Sequence, residues 1–120
     1  MYRVFNYKDK NGKEPVGDYL ESLESLSGKS SRIKARKIRH DIDVLEKVGT
    51  WAGEPYVKHL QGEIWELRPL KDRILFAAWD SNSYILLHHF VKKTRKTPQG
   101  EIDRAKQYLK DYRERKEQNG

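Results

Sequence analysis

The residues best suited to chemistry lie in one stretch and two short segments that follow it. The stretch is Lys58-His59-Leu60-Gln61-Gly62-Glu63-Ile64-Trp65-Glu66-Leu67-Arg68; the later segments hold Arg73 and Lys92-Lys93-Thr94-Arg95-Lys96. In an extended strand alternate side chains share a face. Trp65 and Leu67 therefore stand on one side, suited to packing under helices, and Glu66 and Arg68 stand on the other. Arg73 begins the next strand candidate, across the turn Pro69-Leu70-Lys71-Asp72. Antiparallel pairing across so short a turn holds its guanidinium near that of Arg68. Lys92 and Lys93 end the following strand, and Lys58 precedes the Glu66 strand. The expected result is one sheet face with Arg68, Arg73 and one or two lysines around a single carboxylate.

That grouping suits a phosphodiester. RNA carries its own nucleophile, the 2′-hydroxyl, beside the scissile phosphate. A protein that cuts it must position the strand, move two protons and stabilise the extra negative charge of the pentavalent transition state. Arginine forks match phosphate oxygens, and fixed cations aimed at developing charge are often the largest catalytic contribution. Glu66 then serves either as the base or as the group that orients an arginine. The competing reading of the same residues is an exposed structural ion pair, worth only ~0–1 kcal/mol.

Other chemistries find little support. The chain has no cysteine, so thiol nucleophiles, disulfide scaffolds and cysteine-based zinc sites are excluded. It has no glycine-rich phosphate loop, no His-Glu-x-x-His and no Gly-x-Ser-x-Gly. His88 and His89 are adjacent on a strand and point to opposite faces, so they cannot chelate one ion together. No metal and no cofactor is expected. The 120 residues carry 25 Lys+Arg against 18 Asp+Glu, a formal charge of +7, which points toward a polyanion. Besides the Lys92–Lys96 run, the segment Lys29 to Arg39 holds six Lys/Arg and no acid. Arg36 and Arg39 there, like Lys58, His59, Lys92, Arg95 and Lys96, are candidate phosphate contacts. No apolar run approaches the ~20 residues that span a bilayer, so a soluble, cytoplasmic protein with no membrane partner is expected.

The elements that must position these residues follow from periodicity. Tyr2–Tyr7 alternates as a short strand, and Asp9-Lys10-Asn11-Gly12 is a turn. From Pro15 the spacing of Val16, Tyr19/Leu20, Leu23 and Leu26 predicts a helix. After Ser27-Gly28 a second helix is predicted from Ser30 or Ser31, with the stripe Ala35, Ile38, Ile42, Leu45 and Val48 and a stop at Gly49. Strand candidates are Tyr56–Leu60, Glu63–Leu67, Arg73–Trp79 and Tyr84–Val91, joined by connections short enough for antiparallel neighbours. Thr97 caps a last helix with Pro98 first inside and the stripe Ile102, Ala105, Leu109 and Tyr112; residues 113–120 are all polar and expected to fray. The expected fold is α+β in one domain over 1–120: a mostly antiparallel four-stranded sheet, an N-terminal αα-hairpin and a C-terminal helix, with the helices on one side of the sheet.

In order, Lys58-x-Leu60, Trp65-Glu66-Leu67-Arg68, Arg73-Ile74, Phe90-Val91-Lys92-Lys93-Thr94 and Thr97-Pro98 resemble the HigB-like, phage-related branch of the RelE/ParE toxin superfamily. The resemblance covers nearly the whole chain. It implies the toxin of a type II toxin–antitoxin pair with a RelE-like fold. Such a toxin is a metal-independent endonuclease of messenger RNA, commonly working on the ribosome. Its partner is a helix-turn-helix, HigA-like antitoxin in a heterotetramer of two toxins and two antitoxins. Carried over residue by residue, Arg68 and Arg73 match positions that contact the scissile phosphate. Lys93, with Lys92, matches the basic position ending the last strand, and Glu66 matches the glutamate of this branch. RelE members often place lysines where this chain has Ile64 and Glu66. Two other readings compete. One is a ParE-like poison of DNA gyrase, against which the cations converging on Glu66 argue. The other is a non-enzymatic nucleic-acid-binding module, against which the lack of a clear helix-turn-helix argues.

Overall fold

The computed structural model describes residues 1–119. Strand β1 (Arg3–Asn6) is followed by helices α1 (Pro15–Ser25) and α2 (Lys29–Val48) and a single 3-10 turn, Gly49–Ala52. Four further strands follow: β2 (Val57–Gln61), β3 (Ile64–Leu67), β4 (Asp72–Asp80) and β5 (Ser83–Val91). Helix α3 (Gln99–Asn119) ends the described chain. The strands form one sheet in the order β1-β5-β4-β3-β2. All neighbours are antiparallel except β1 and β5, which run parallel.

The architecture is α+β, with two differences from expectation. The sheet has five strands rather than four, because β1 adds itself to the edge of β5. A parallel neighbour needs a crossover connection, and the two helices that follow β1 begin that long excursion. The helices also do not share one side. Alternating residues feed two cores. Leu67, Ile74, Phe76, Tyr84 and Leu86 meet Val16, Leu20, Leu23, Ala35, Ile38 and Leu45 of α1 and α2. On the reverse face Ile64, Leu75, Ala77, Ile85 and Leu87 meet Ile102, Ala105 and Leu109 of α3. The central strands are apolar on both faces, the pattern of a sheet covered twice.

Two glycines carry conformational demands. Gly62 (φ +55°) turns the β2–β3 hairpin, where φ > 0 favours glycine. Gly49 (φ +62°) ends α2, and a Cβ there would lie 2.6 Å from the Tyr84 hydroxyl. Helix α3 runs past Tyr112 to Asn119 where fraying was expected. Arg113 pairs with Glu63 of the hairpin and Arg115 with Asp111, so part of the polar end has partners; Gly120 lies outside the described residues. Among the described residues no helix is long and apolar enough to cross a membrane.

Candidate active site

Register brings the predicted cations together. Glu66 on β3 pairs across to Leu75 on β4 and to Lys58 on β2. Opposite and alternate positions share a face, so Lys58, Glu66 and Arg73 all stand on the α3 side. Arg68 joins them just beyond the end of β3, its amide bonded to the Tyr56 carbonyl. The Glu66 carboxylate is 3 % exposed and the Arg73 side chain is nearly as deep. Arg68 Nε stands 3.6 Å from Glu66 Oε2, and Arg73 Nε stands 3.9 Å from Glu66 Oε1. Thr97, just ahead of α3, donates its hydroxyl to Glu66 Oε1. Arg73 Nη1 also donates to the carbonyls of Leu70 (2.8 Å) and Asp72 (2.7 Å). These bonds fix the guanidinium from the turn side and leave it facing the cleft.

Around this cluster opens a cleft of about 310 Å³. Its walls come from β2, from the 92–97 segment and from the first turn of α3; Lys58, Lys92, Arg95 and Lys96 line it together with Arg68 and Arg73. Burial lowers the Arg73 pKa and Arg68 adds to the lowering, while Glu66 and Asp72 oppose it. A guanidinium keeps its proton well above neutral pH in any case. The cleft therefore holds permanent positive charge over one buried carboxylate.

The sequence-predicted residues divide cleanly. Arg68, Arg73, Glu66, Lys58, Lys92, Arg95 and Lys96 meet at the cleft. Lys93 does not line it; Phe90 and Lys92 follow the alternation of β5 toward α3, and Lys93 falls out of step. His59 sits at the edge, but its ring stands on the Trp65 side of the hairpin, and Nε2 lies 2.7 Å from the Gly62 carbonyl. Arg36 and Arg39 ride on α2, across the sheet from the cleft. Arg39 is held by Glu24 of α1 at 2.9 and 3.0 Å and so links two helices. Thr97, the expected cap of α3, stands two residues ahead of the helix, which begins at Gln99, and its hydroxyl turns to Glu66 instead. A threonine ahead of a helix can serve either end, and only the fold chooses.

His88 and His89 point to opposite faces, as alternation requires. His88 faces α3, 3.0 Å from Glu101, and burial pushes its imidazole pKa down despite that carboxylate. His89 stacks on Tyr19 at 3.5 Å between ring centroids and bonds Asp72. Among the described residues no group of three or more His, Cys, Asp or Glu side chains is placed to share a metal ion.

The family described as "Phage derived protein Gp49-like (DUF891)" matches residues 21–110. No curated protein matches the chain in sequence. Among solved structures, the archaeal RelE–RelB complex from Pyrococcus horikoshii OT3 superimposes with a TM-score of 0.51 at 21 % identity, over 79 % of this chain and 98 % of that one. The likeness shows the RelE fold. The matched segment holds both arginines, Glu66, Lys92 and Thr97, and the chain belongs to the phage-derived Gp49-like family, a family of RelE/HigB-type toxins.

Proposed function

We propose that this chain is the toxin of a type II toxin–antitoxin system and an endonuclease that cuts messenger RNA with the RNA's own 2′-hydroxyl as nucleophile. The observation that carries it is the pair Arg68 and Arg73, both within 4 Å of one buried carboxylate at the floor of a lysine-rimmed cleft. The 2′-oxygen attacks the adjacent phosphorus, the bond to the 5′-oxygen breaks, and the products are a 2′,3′-cyclic phosphate and a free 5′-hydroxyl. One proton leaves the nucleophile and one reaches the leaving oxygen. Arg68 and Arg73 neutralise the charge that builds on the phosphoryl oxygens.

Glu66 acts here as a positioning residue. Both its oxygens already face a guanidinium or the Thr97 hydroxyl, so it aims the two arginines rather than meeting the ribose. Lys58 and Lys92 stand at the mouth, where an ammonium group can hold a neighbouring phosphate or give a proton to the leaving oxygen. The ribosome supplies the RNA in an ordered, extended form. A helix-turn-helix, HigA-like antitoxin restrains the activity in the cytoplasm, in a heterotetramer of two toxins and two antitoxins.

The test uses purified chain, end-labelled messenger RNA and ribosomes, with and without chelator. Fragments ending in 2′,3′-cyclic phosphate, produced by the wild type in chelator and not by Arg73→Lys, are the expected result. Intact RNA together with perturbed DNA supercoiling in cells that express the chain would replace this function with a gyrase poison.

A further inference from the structure

On the sheet face away from the cleft, three apolar side chains remain in solvent at one spot. They are Ile33 on α2 (47 % exposed), Leu70 in the β3–β4 turn (52 %) and Val91 at the end of β5 (41 %). With Lys29, Lys34 and Lys71 they line an open groove of about 660 Å³ that no acidic residue enters. A contiguous apolar patch with a charged rim marks a contact surface rather than a solvated one.

Leu70 adds an independent sign. Its φ is +57°, uncommon for any residue with a Cβ. The turn itself has a use, since the Leu70 carbonyl accepts from Arg73 Nη1. Glycine or asparagine would provide that backbone with less strain. What leucine adds is an exposed apolar side chain, and the described chain gives that side chain little cover. Strain kept at such a position is characteristic of functional surfaces.

We propose that this groove docks an acidic amphipathic segment of a partner protein. Two or three apolar side chains of the segment rest on Ile33, Leu70 and Val91, and its carboxylates face Lys29, Lys34 and Lys71. Charge selects this occupant. A second copy of the chain would bring the three lysines of each molecule against one another. RNA would find cations but no aromatic face on which to stack a base. The groove is separate from the cleft, so the proposal stands or falls independently of RNA cleavage.

The experiment pans a phage-displayed library of helical peptides against the full chain. Enriched sequences are then synthesised and their binding measured by fluorescence anisotropy on wild type, Ile33→Asp and Leu70→Asn. Asparagine tolerates the left-handed backbone, so Leu70→Asn removes the anchor and keeps the turn; circular dichroism checks both folds. The expected peptides carry net negative charge and spaced apolar anchors. They bind roughly tenfold or more weakly to each variant, as loss of a central anchor does, and weaken as salt rises. No enrichment, neutral or basic winners, or equal binding to all three proteins would overturn the proposal. So would a wild-type dimer that Leu70→Asn dissolves, or RNA binding lost only in that variant.

Discussion

Two buried carboxylates lie at the same end of the sheet, one on each face, and they do opposite things. Glu66 on the α3 side meets two guanidinium groups and a threonine beneath an open cleft. Asp72, adjacent in sequence to Arg73, points to the α1–α2 side, where Tyr19 and His89 each place a polar atom 3.0 Å from its Oδ1. The stacked rings of Tyr19 and His89 close over it. Burial alone would raise the Asp72 pKa, but the hydrogen bonds from His89 and Tyr19 outweigh it and hold it below the ordinary carboxylate value. The same contact, with burial leading, pushes Tyr19 up to about 12. A buried acid is thus not itself a sign of catalysis. Excess fixed cation and an open approach distinguish Glu66; two hydrogen-bonded partners and a lid of rings make Asp72 a lock between helix and sheet.

The strongest way to break this contrast is Arg73→Lys. Lysine keeps the charge and loses the fork, and RNA cleavage should fall by roughly 10²- to 10³-fold, the scale of one lost transition-state donor. A folded Arg73→Lys protein that cleaves at the wild-type rate would make the Glu66 cluster no more chemical than the Asp72 one. Asp72→Ala should do the reverse. It leaves the Tyr19 hydroxyl and the His89 ring without their acceptor, each worth about 1–3 kcal/mol when stranded. Urea unfolding should report the loss, while the cleavage rate per folded molecule stays close to wild type. Thr97→Val should sharpen the contrast from the other side. One hydrogen bond to Glu66 is removed, worth about 0.5–1.5 kcal/mol, and activity should fall several-fold with the thermal midpoint little changed.

Acid should act on stability through His88. Its pKa is depressed in the folded protein by burial, so the unfolded chain binds the proton first. Stability is fully present above the ordinary value of 6.5 and declines as pH falls below it toward the folded value. Thermal melts from pH 7.5 to 5 should show this decline, and His88→Gln should flatten it. The smallest effect expected is at Arg39→Ala, which removes a surface pair with Glu24 worth ~0–1 kcal/mol and should leave cleavage untouched.

The cleft was legible because it is local in sequence. Strand alternation, one short turn and one hairpin relate Lys58, Glu66, Arg68 and Arg73, so their meeting needs no knowledge of distant contacts. Lys92 and Lys93 could not be separated that way. Their facing depends on the β4–β5 ladder, whose register shifts between Leu75 and Phe76, and a single-residue slip exchanges faces. Thr97 was visible only as a helix cap, because Glu66 lies 31 residues earlier.

By itself the sequence determined the order of the elements, the apolar stripe of each helix and the convergence of charge on Glu66. These follow from periods of 3.6 and 2 and from turn chemistry, all of which act over a few residues. Only the tertiary structure decided that β1 lies parallel beside β5, that helices cover both faces of the sheet, and that Asp72 is locked under stacked rings while the buried Glu66 lies at the floor of an open cleft. Those outcomes depend on which distant surfaces exclude water together, and an apolar stripe does not say which partner will cover it.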